Sequence, residues 1–279
     1  MTYREMYEWG VRQLEQAEVP EARLDAGLLL EFVCKTDRNA LLAHGEDEKT
    51  KEELDRYQNL IKRRAGRIPL QHLTHEQEFM GLPFYVDERV LIPRQDTEIL
   101  VEEALHGLKD GMQILDMCTG SGCILLSLLH YSNECEGVGV DFSTDALEVA
   151  RQNAKSLGET PVFIHSDLFK NVTGKFDLIV SNPPYIATKE IETLMPEVRE
   201  HEPHMALDGL EDGLFFYRRI VQDAIRHLKS DSRLIFEIGY DQAKIVAKLM
   251  TDAGFDAVEI KKDYAGLDRV VTGVWQMFQ

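Results

Sequence analysis

The chain has 279 residues, of which 44% are hydrophobic, and its formal net charge is −18. Such a composition is typical of a globular protein with a sizeable core, and no apolar run approaches the length of a membrane-spanning helix. The negative charge opposes non-specific binding to nucleic acid, because Lys and Arg contacts to phosphate supply most of that affinity. The first residues lack a basic segment followed by an apolar one, so no secretory signal is visible and we expect a soluble cytoplasmic protein.

The sequence contains four cysteines, none of them in a C-x-x-C pair: Cys34, Cys118, Cys123 and Cys135. This spacing favours reduced thiols over a disulfide framework. The segment H-E-P-H at residues 201–204 lacks the H-E-x-x-H spacing of a helical zinc site, and no cysteine lies close to it. We therefore predict no metal site.

Apolar residues recur at helical spacing throughout the first third of the chain. The three sets are Tyr3, Met6, Tyr7, Val11 and Leu14, then Leu24, Leu28, Leu29 and Phe32, and finally Leu54, Tyr57, Leu60 and Ile61. They predict a helical-bundle domain over residues 1–75, which we expect to dock a partner. Residues 76–93 contain glycine, proline and alternating apolar positions, which indicate a short hairpin or linker.

From residue 94 to residue 279, short apolar runs alternate with helical patterns. Strand-like runs cover 113–117, 137–140, 162–164, 176–180, 233–238, 257–261 and 269–275, and helical patterns cover 99–108, 123–129, 146–157, 214–228 and 242–253. This alternation predicts an α/β domain with a doubly wound, mostly parallel sheet. The last two runs are joined by only a loop, so we expect them to pair antiparallel. Asp96 or Thr97 is expected to cap the helix that follows P-R-Q-D-T-E at 93–98.

The segment I-L-D-M-C-T-G-S-G at residues 114–122 indicates a strand that ends in a glycine-containing turn and opens a helix. Glycine lets the backbone approach a ligand closely, and the helix N-terminus offers unpaired N–H groups. Asp141 ends the next strand, where a carboxylate can accept hydrogen bonds from ribose hydroxyls. Asp167 and Leu168 follow the third strand, where they could flank an adenine ring. The pattern predicts an adenosine cofactor, either a dinucleotide or S-adenosylmethionine.

The spacing of the glycines favours S-adenosylmethionine. A dinucleotide fingerprint, G-x-G-x-x-G, requires a third small residue where this chain has Leu125. Gly120 and Gly122 alone suit a cofactor the size of a mononucleoside, without a pyrophosphate.

The motif Asn182-Pro183-Pro184-Tyr185 follows the buried strand-like run 176–180. A primary amide or an aromatic amine is a poor nucleophile, and its NH₂ group has two hydrogens. The side-chain oxygen of Asn182 and the backbone carbonyl of Pro183 can accept both, which aligns the nitrogen with the methyl donor. Consecutive prolines stiffen the loop, and Tyr185 can stack on the planar group. The motif predicts methyl transfer to a planar nitrogen, with Asn182, Pro183 and Tyr185 as catalytic residues.

Several motifs together carry a family resemblance. They are P-L-Q-H-L-T at 69–74, L-I-P-R-Q-D-T-E at 91–98, T-G-S-G at 119–122, N-P-P-Y at 182–185, E-P at 202–203, A-L at 206–207 and D-R-V at 268–270. The chain resembles the release-factor glutamine methyltransferase family, known as HemK or PrmC, over nearly its whole length. Two positions depart from the family pattern, since Cys118 replaces a glycine and Gln95 replaces a proline.

The resemblance implies a class I S-adenosylmethionine-dependent methyltransferase fold. This fold is a Rossmann-like, mostly parallel seven-stranded sheet with an antiparallel last strand, here over residues 94–279 and preceded by a helical domain. The implied activity is methyl transfer to N5 of the glutamine in the Gly-Gly-Gln motif of peptide chain release factors 1 and 2. The implied cofactor contacts are Cys118, Thr119, Gly120, Ser121, Gly122, Asp141, Leu168 and Asn182. The implied substrate contacts are Asn182, Pro183, Pro184 and Tyr185.

Two other functions remain open at this point. Adenine N6 is also an amine on a planar ring, so an adenine-N6 methyltransferase of DNA or RNA is one alternative, which the net charge of −18 disfavours. A non-catalytic cofactor-binding module is the other, although such a module would not need Asn182 and Tyr185 beside the cofactor turn. We expect a monomer that binds release factors, with no direct contact to nucleic acid or membrane.

Overall fold

A computed structural model describes residues 1–276. The helices are α1 Tyr3–Gln16, α2 Ala22–Cys34, α3 Ala40–Ala43, α4 Lys51–Ala65, α5 Leu70–Thr74, α6 Gln95–Leu105, α7 Cys123–His130, α8 Thr144–Leu157, α9 Thr188–Ile191, α10 Pro196–His201, α11 His204–Leu207, α12 Phe215–Ala224 and α13 Ala243–Asp252. The strands are β1 Gln77–Phe79, β2 Leu82–Phe84, β3 Gln113–Met117, β4 Glu136–Asp141, β5 Val162–His165, β6 Phe176–Ser181, β7 Leu228–Glu237, β8 Asp256–Lys262 and β9 Asp268–Trp275. None of the helices within this described range is long and apolar enough to cross a membrane.

Residues Met1–Glu76 and Met195–His201 form one compact unit, which contains helices α1–α5 and α10. Two of its helices begin at reciprocal capping boxes. Thr2 accepts a hydrogen bond from the backbone of Glu5, whose carboxylate accepts one from the backbone of Thr2, and Thr50 and Glu53 repeat the arrangement. Each box satisfies two backbone N–H groups that the first turn of a helix would otherwise leave unpaired.

The core of this helical unit forms where α1, α2 and α4 pack together. Tyr57 is fully buried, and its hydroxyl donates to the carbonyl of Ala26. The prediction of which residues form the buried face of α2 is wrong in part, because Leu24 and Leu28 are exposed while Ala26 and Leu30 are buried. Both faces of α2 carry leucine, so the small alanines, which allow close helix approach, decide which face is inside.

A buried cluster of charges joins α10 to the rest of the helical unit. The guanidinium of Arg64 contacts Asp25 at 2.7 Å and Glu197 at 3.0 Å, and Arg67 contacts Glu197 at 2.7 Å. Burial raises the pKa of Asp25 despite the nearby Arg64. Burial opposes ionisation of Glu197 too, but the hydrogen bonds from Arg67 and Arg64 outweigh it and lower the pKa of that carboxyl. The cluster therefore fixes α10 against helices that lie more than a hundred residues earlier in the chain.

The second unit comprises Gln77–Leu194 and residues from Glu202 onward. Its seven-stranded sheet has the order β5-β4-β3-β6-β7-β9-β8, and all neighbours are parallel except that β9 is antiparallel to both β7 and β8. The predicted mostly parallel sheet with an antiparallel last strand is confirmed. Strands β1 and β2 form a separate antiparallel hairpin.

The sheet carries a core on each face. Successive residues of β3 alternate between them, since Ile114 belongs to the core built with α6 and α7 and Leu115 to the core built with α12 and α13. The helices on both faces explain why the strands are continuous apolar runs.

Several predicted boundaries differ from the structure by a few residues, and two of these differences have a clear physical reason. The helix predicted over 214–228 ends at Ala224, and Leu228 instead begins β7, where it pairs with Phe176. Leu228 stands at helical spacing from the preceding apolar residues, so periodicity alone could not reveal that it leaves the helix. Helix α6 begins at Gln95 with Arg94 as its N-cap residue and no side-chain cap, so Asp96 and Thr97 lie in the first turn rather than capping it.

The charge cluster of the helical unit leads to a stability prediction. Arg64→Leu would leave Asp25 without its cation and Glu197 with only Arg67, so we expect a loss of about 3–5 kcal/mol in the free energy of unfolding. Arg4→Leu removes a surface pair with Glu46, for which we expect a loss of about 1 kcal/mol or less. Urea unfolding followed by circular dichroism measures both, and equal losses would contradict the assignment of Arg64 as a buried partner.

Candidate active site

The parallel register brings two predicted motifs side by side. Met117 at the end of β3 pairs with Val140 on β4 and with Ser181 on β6. The hydroxyl of Ser181 donates to the carbonyl of Met117 at 2.6 Å and is fully buried. The loops that begin at Cys118 and Asn182 therefore leave the same edge of the sheet from adjacent strands, which is where ligands bind in open α/β folds.

A cavity of about 470 Å³ opens at this edge. The residues predicted to contact the cofactor that line it are Cys118, Thr119, Gly120, Ser121, Asp141, Leu168 and Asn182. Gly122 lies outside the lining. Of the other residues predicted to hold the substrate, Pro184 lines the cavity, whereas Pro183 and Tyr185 are not among its lining residues.

The turn after β3 adopts the left-handed conformation repeatedly. The φ angles are +65° at Cys118, +54° at Gly120 and +81° at Gly122. A Cβ at Gly120 would enter open space, so this glycine leaves room beside the cavity. A Cβ at Gly122 would press on Leu126, which gives that glycine a packing role at the start of α7. At Cys118 the side chain makes this conformation unfavourable by roughly 1–2 kcal/mol.

Asp141 ends β4 and closes the turn from the other side. Its carboxylate accepts hydrogen bonds from the backbone N–H of Gly120 and from that of Ser143, each at 2.9 Å. Burial raises the pKa of Asp141, although these hydrogen bonds oppose the increase. Each carboxylate oxygen has a further lone pair that can accept a ligand hydroxyl.

A second carboxylate supports the turn from below. Asp116 is fully buried in β3, and the hydroxyl of Thr119 donates to it at 2.5 Å. Burial raises the pKa of Asp116 to about 7. Asp116 does not line the cavity, so it acts by fixing Thr119, which does.

The N-P-P-Y motif has one polar side chain at the cavity and one behind it. The side-chain Nδ2 of Asn182 donates to the hydroxyl oxygen of Thr97 at 3.4 Å. The hydroxyl of Tyr185 donates to Glu237 at 3.3 Å, and its backbone carbonyl accepts from Gln242 at 2.9 Å. The Tyr185 ring packs against the core, which fixes the loop.

Glu237 ends β7 behind the motif and is fully buried. Burial raises its pKa to about 7, opposed by the hydroxyls of Thr97 and Tyr185 and by the charge of Arg269. The hydroxyl of Tyr217 donates to the backbone carbonyl of Glu237 at 2.9 Å. The carboxylate therefore lies where α6, β7 and the N-P-P-Y loop meet.

An ion pair forms part of the opposite wall. Arg94 donates to both carboxylate oxygens of Glu202 at 2.7 Å, and Glu202 is almost completely buried. Burial raises the pKa of Glu202, while Arg94 opposes this. Arg94 lines the cavity together with the exposed apolar side chains of Met205 and Phe215.

Sequence reasoning assigned no role at this site to Asp116, Thr97 or Glu237, and it considered Thr97 only as a helix cap. Asp116 could have been noticed as a carboxylate inside an otherwise apolar strand, and Thr97 as a member of the 91–98 motif. Glu237 is the second-last residue of the strand predicted over 233–238, and the rule that places ligands at the carboxyl ends of strands could have identified it.

Comparison with known proteins agrees with this geometry. Residues 5–74 match the family described as the PrmC N-terminal domain, and residues 95–201 match the methyltransferase small domain. A release factor glutamine methyltransferase of Geobacter sulfurreducens is 41% identical over 98% of this chain and 96% of its own length. That of Clostridium acetobutylicum is 42% identical over 90% of both chains.

A solved methyltransferase structure from Pyrococcus furiosus covers 77% of this chain and 100% of its own, with 17% identity and a TM-score of 0.56, and it shows the shared fold. The shared fold alone does not identify the family of the chain, whereas identity near 40% over almost the full length does. With a helical unit, a methyltransferase sheet and the N-P-P-Y motif at its edge, the chain belongs to the release factor glutamine methyltransferase family.

Proposed function

We propose that this protein transfers a methyl group from S-adenosyl-L-methionine to the N5 amide nitrogen of the glutamine in the Gly-Gly-Gln motif of peptide chain release factors 1 and 2. The observation that carries the proposal is that Asn182 and the turn 118–121 line the same cavity. An acceptor for amide hydrogens thus lies beside a site built for an adenosine ligand.

The cavity fits S-adenosylmethionine in size and chemistry. Asp141 offers lone pairs to the ribose hydroxyls, Gly120 leaves open space beside the turn, and Ser166 and Leu168 line the region after β5. When bound, the cofactor supplies an electrophilic methyl group on a sulfonium. Cys118, Thr119, Ser121 and the loop of Asn182 would complete its surroundings.

The N-P-P-Y loop positions the nucleophile. The side-chain oxygen of Asn182 and the backbone carbonyl of Pro183 accept the two hydrogens of the glutamine amide, which removes its rotational freedom. The same acceptors favour the positive charge that develops on nitrogen during transfer. Pro183 and Pro184 restrict the loop backbone, and the hydrogen bond from Gln242 to the carbonyl of Tyr185 fixes its far end.

The partners follow from the same chemistry. Release factors are the protein substrates, and the net charge of −18 disfavours direct contact with nucleic acid. The cofactor turn, Asp141 and the N-P-P-Y motif all come from one chain, so the site needs no second copy, and we propose a monomer that meets the release factors in the cytoplasm. The helical unit docks the release factor.

A transfer assay tests the proposed function. We expect label from S-adenosyl-[methyl-³H]methionine to appear on purified release factors 1 and 2, and to disappear when the Gly-Gly-Gln glutamine is replaced by alanine. DNA and tRNA serve as competing acceptors. Label that appears only on nucleic acid would reject the proposal.

Asn182→Ala removes one acceptor from the nucleophile. We expect kcat to fall by about 10²–10³-fold, as for loss of one preorganised electrostatic contact, while cofactor binding is partly retained. Asn133→Ala, at an exposed asparagine of the same unit, is the matched control and should keep full activity. Wild-type turnover in Asn182→Ala would remove this residue from the mechanism.

Asp141→Asn keeps the shape of the side chain but removes its charge and one acceptor. We expect the cofactor dissociation constant to rise about 10-fold to 100-fold, because hydrogen bonds to charged groups are the stronger ones. The exposed Asp145→Asn is the control. Isothermal titration with S-adenosylmethionine measures both, and equal affinities would show that Asp141 does not bind the cofactor.

A further inference from the structure

The side-chain amide of Asn182 has two ends of nearly equal shape. Its oxygen can accept a hydrogen from the substrate amide, whereas its NH₂ group would oppose the substrate NH₂ group. Catalysis as proposed above therefore requires something that distinguishes the two ends. Because the amide can rotate by half a turn, packing alone does not distinguish them.

Thr97 supplies the distinction at one end. Its hydroxyl oxygen accepts a hydrogen bond from Asn182 Nδ2 at 3.4 Å, and its side chain lines the cavity although only 1% of the residue is exposed. This contact occupies the NH₂ end of the amide and leaves the oxygen for the substrate. A hydroxyl can also donate, however, so Thr97 could equally favour the wrong orientation unless its own proton is held elsewhere.

Glu237 is the group that can hold that proton. One carboxylate oxygen, Oε1, accepts from the hydroxyl of Tyr185 at 3.3 Å. The other, Oε2, is fully buried and accepts no hydrogen bond from any residue in the range 1–276, so its lone pairs are available to the hydroxyl of Thr97, whose side chain opposes the rise that burial causes in the pKa of Glu237. An ionised carboxylate only accepts, so it orients the Thr97 hydroxyl towards itself.

We propose that Thr97 and Glu237 are positioning residues that hold the Asn182 amide with its oxygen towards the substrate nitrogen. The order of donors runs in one direction, from Asn182 Nδ2 to Thr97 and from the Thr97 hydroxyl to Glu237. This inference rests on the proposed function, because it assigns a reason for the acceptor role of Asn182.

Glu237 does not take the proton of the product directly. It lies outside the cavity lining, whereas Thr97 and Asn182 line the cavity. Its buried charge is compatible with a positioning role, since Arg269 on β9 provides a nearby positive charge. The other titratable groups facing it are Asp96 on α6, Tyr185, Tyr217 on α12 and Cys123 on α7.

The direction in which the hydrogen bonds between Asn182, Thr97 and Glu237 run depends on pH. Burial raises the pKa of Glu237 to about 7, so the carboxylate becomes protonated as the pH falls below neutrality. A protonated Glu237 can donate to Thr97, which frees the Thr97 hydroxyl to donate towards Asn182 and favours the rotated amide. We therefore expect kcat of the wild-type protein to rise with pH through a limb near pH 7, and this limb to be absent from Glu237→Gln.

Substitutions at Thr97 separate polarity from packing. Thr97→Val keeps the branched shape but removes the hydroxyl, and we expect kcat for release factor methylation to fall about 5-fold to 100-fold. The dissociation constant for S-adenosylmethionine and the melting temperature should stay close to those of the wild type. Thr97→Ser restores the hydroxyl and should recover most of the lost kcat. Thr251→Val, at an exposed threonine on α13, is the control.

The outcomes are distinct. The positioning role would be overturned by any of three results: wild-type kcat in Thr97→Val, no recovery of kcat in Thr97→Ser, or a pH limb that persists in Glu237→Gln. In each of these cases, methylation of release factors by the wild-type protein would still support the proposed function. If the wild-type protein does not methylate release factors at all, the proposed function fails first. If Thr97→Val unfolds, Glu237→Gln alone decides through its pH profile.

Discussion

The parallel pairing of β3 with β6 is the constraint on which the site depends. It places Met117 opposite Ser181, and the hydrogen bond between them ties the ends of the two strands together in the core. Because parallel strands deliver their carboxyl ends to one edge, the cofactor turn and the N-P-P-Y loop begin a few ångströms apart without any loop having to bridge them. A shift of one residue in this register would send Asn182 to the opposite face of the sheet.

Three carboxylates at or near the strand ends hold the residues of the site in place. Asp116 holds Thr119, Asp141 holds Gly120, and Glu237 lies beside Thr97 and Tyr185. Asp116 and Glu237 are fully buried and Asp141 is partly buried, so each needs donors that are already in place. The donors to Asp116 and Asp141 are the Thr119 hydroxyl and backbone N–H groups, which have little conformational freedom to lose, and the donor to Glu237 is the hydroxyl of the packed Tyr185. The site is consequently rigid where the reacting groups must be aligned.

Local patterns in the sequence predicted most strands, the order of helices and strands, and the residues that meet at the sheet edge. They worked where a single strand or turn carries the information, as for 114–122 and 182–185. They were wrong for α2, where leucines on both faces hid the inner one, and for the end of α12. They could not reveal the Arg64–Glu197 contact, because an ion pair between residues this far apart in sequence leaves no local periodicity. Glu237 was unassigned for the same reason, since its partners lie on α6 and in the N-P-P-Y loop.

The buried carboxylates also link stability to ligand charge. Burial raises the pKa values of Asp116, Asp141 and Glu237 above those of the unfolded chain. The folded state therefore holds protons that the unfolded state has already released, and folding stability falls as the pH rises from the unfolded values near 4 towards neutrality. A cofactor that carries a positive sulfonium offsets part of this cost, because it favours the ionised carboxylates. The same charges that weaken the protein without ligand thus strengthen its binding of a cationic methyl donor over the neutral product that remains after transfer.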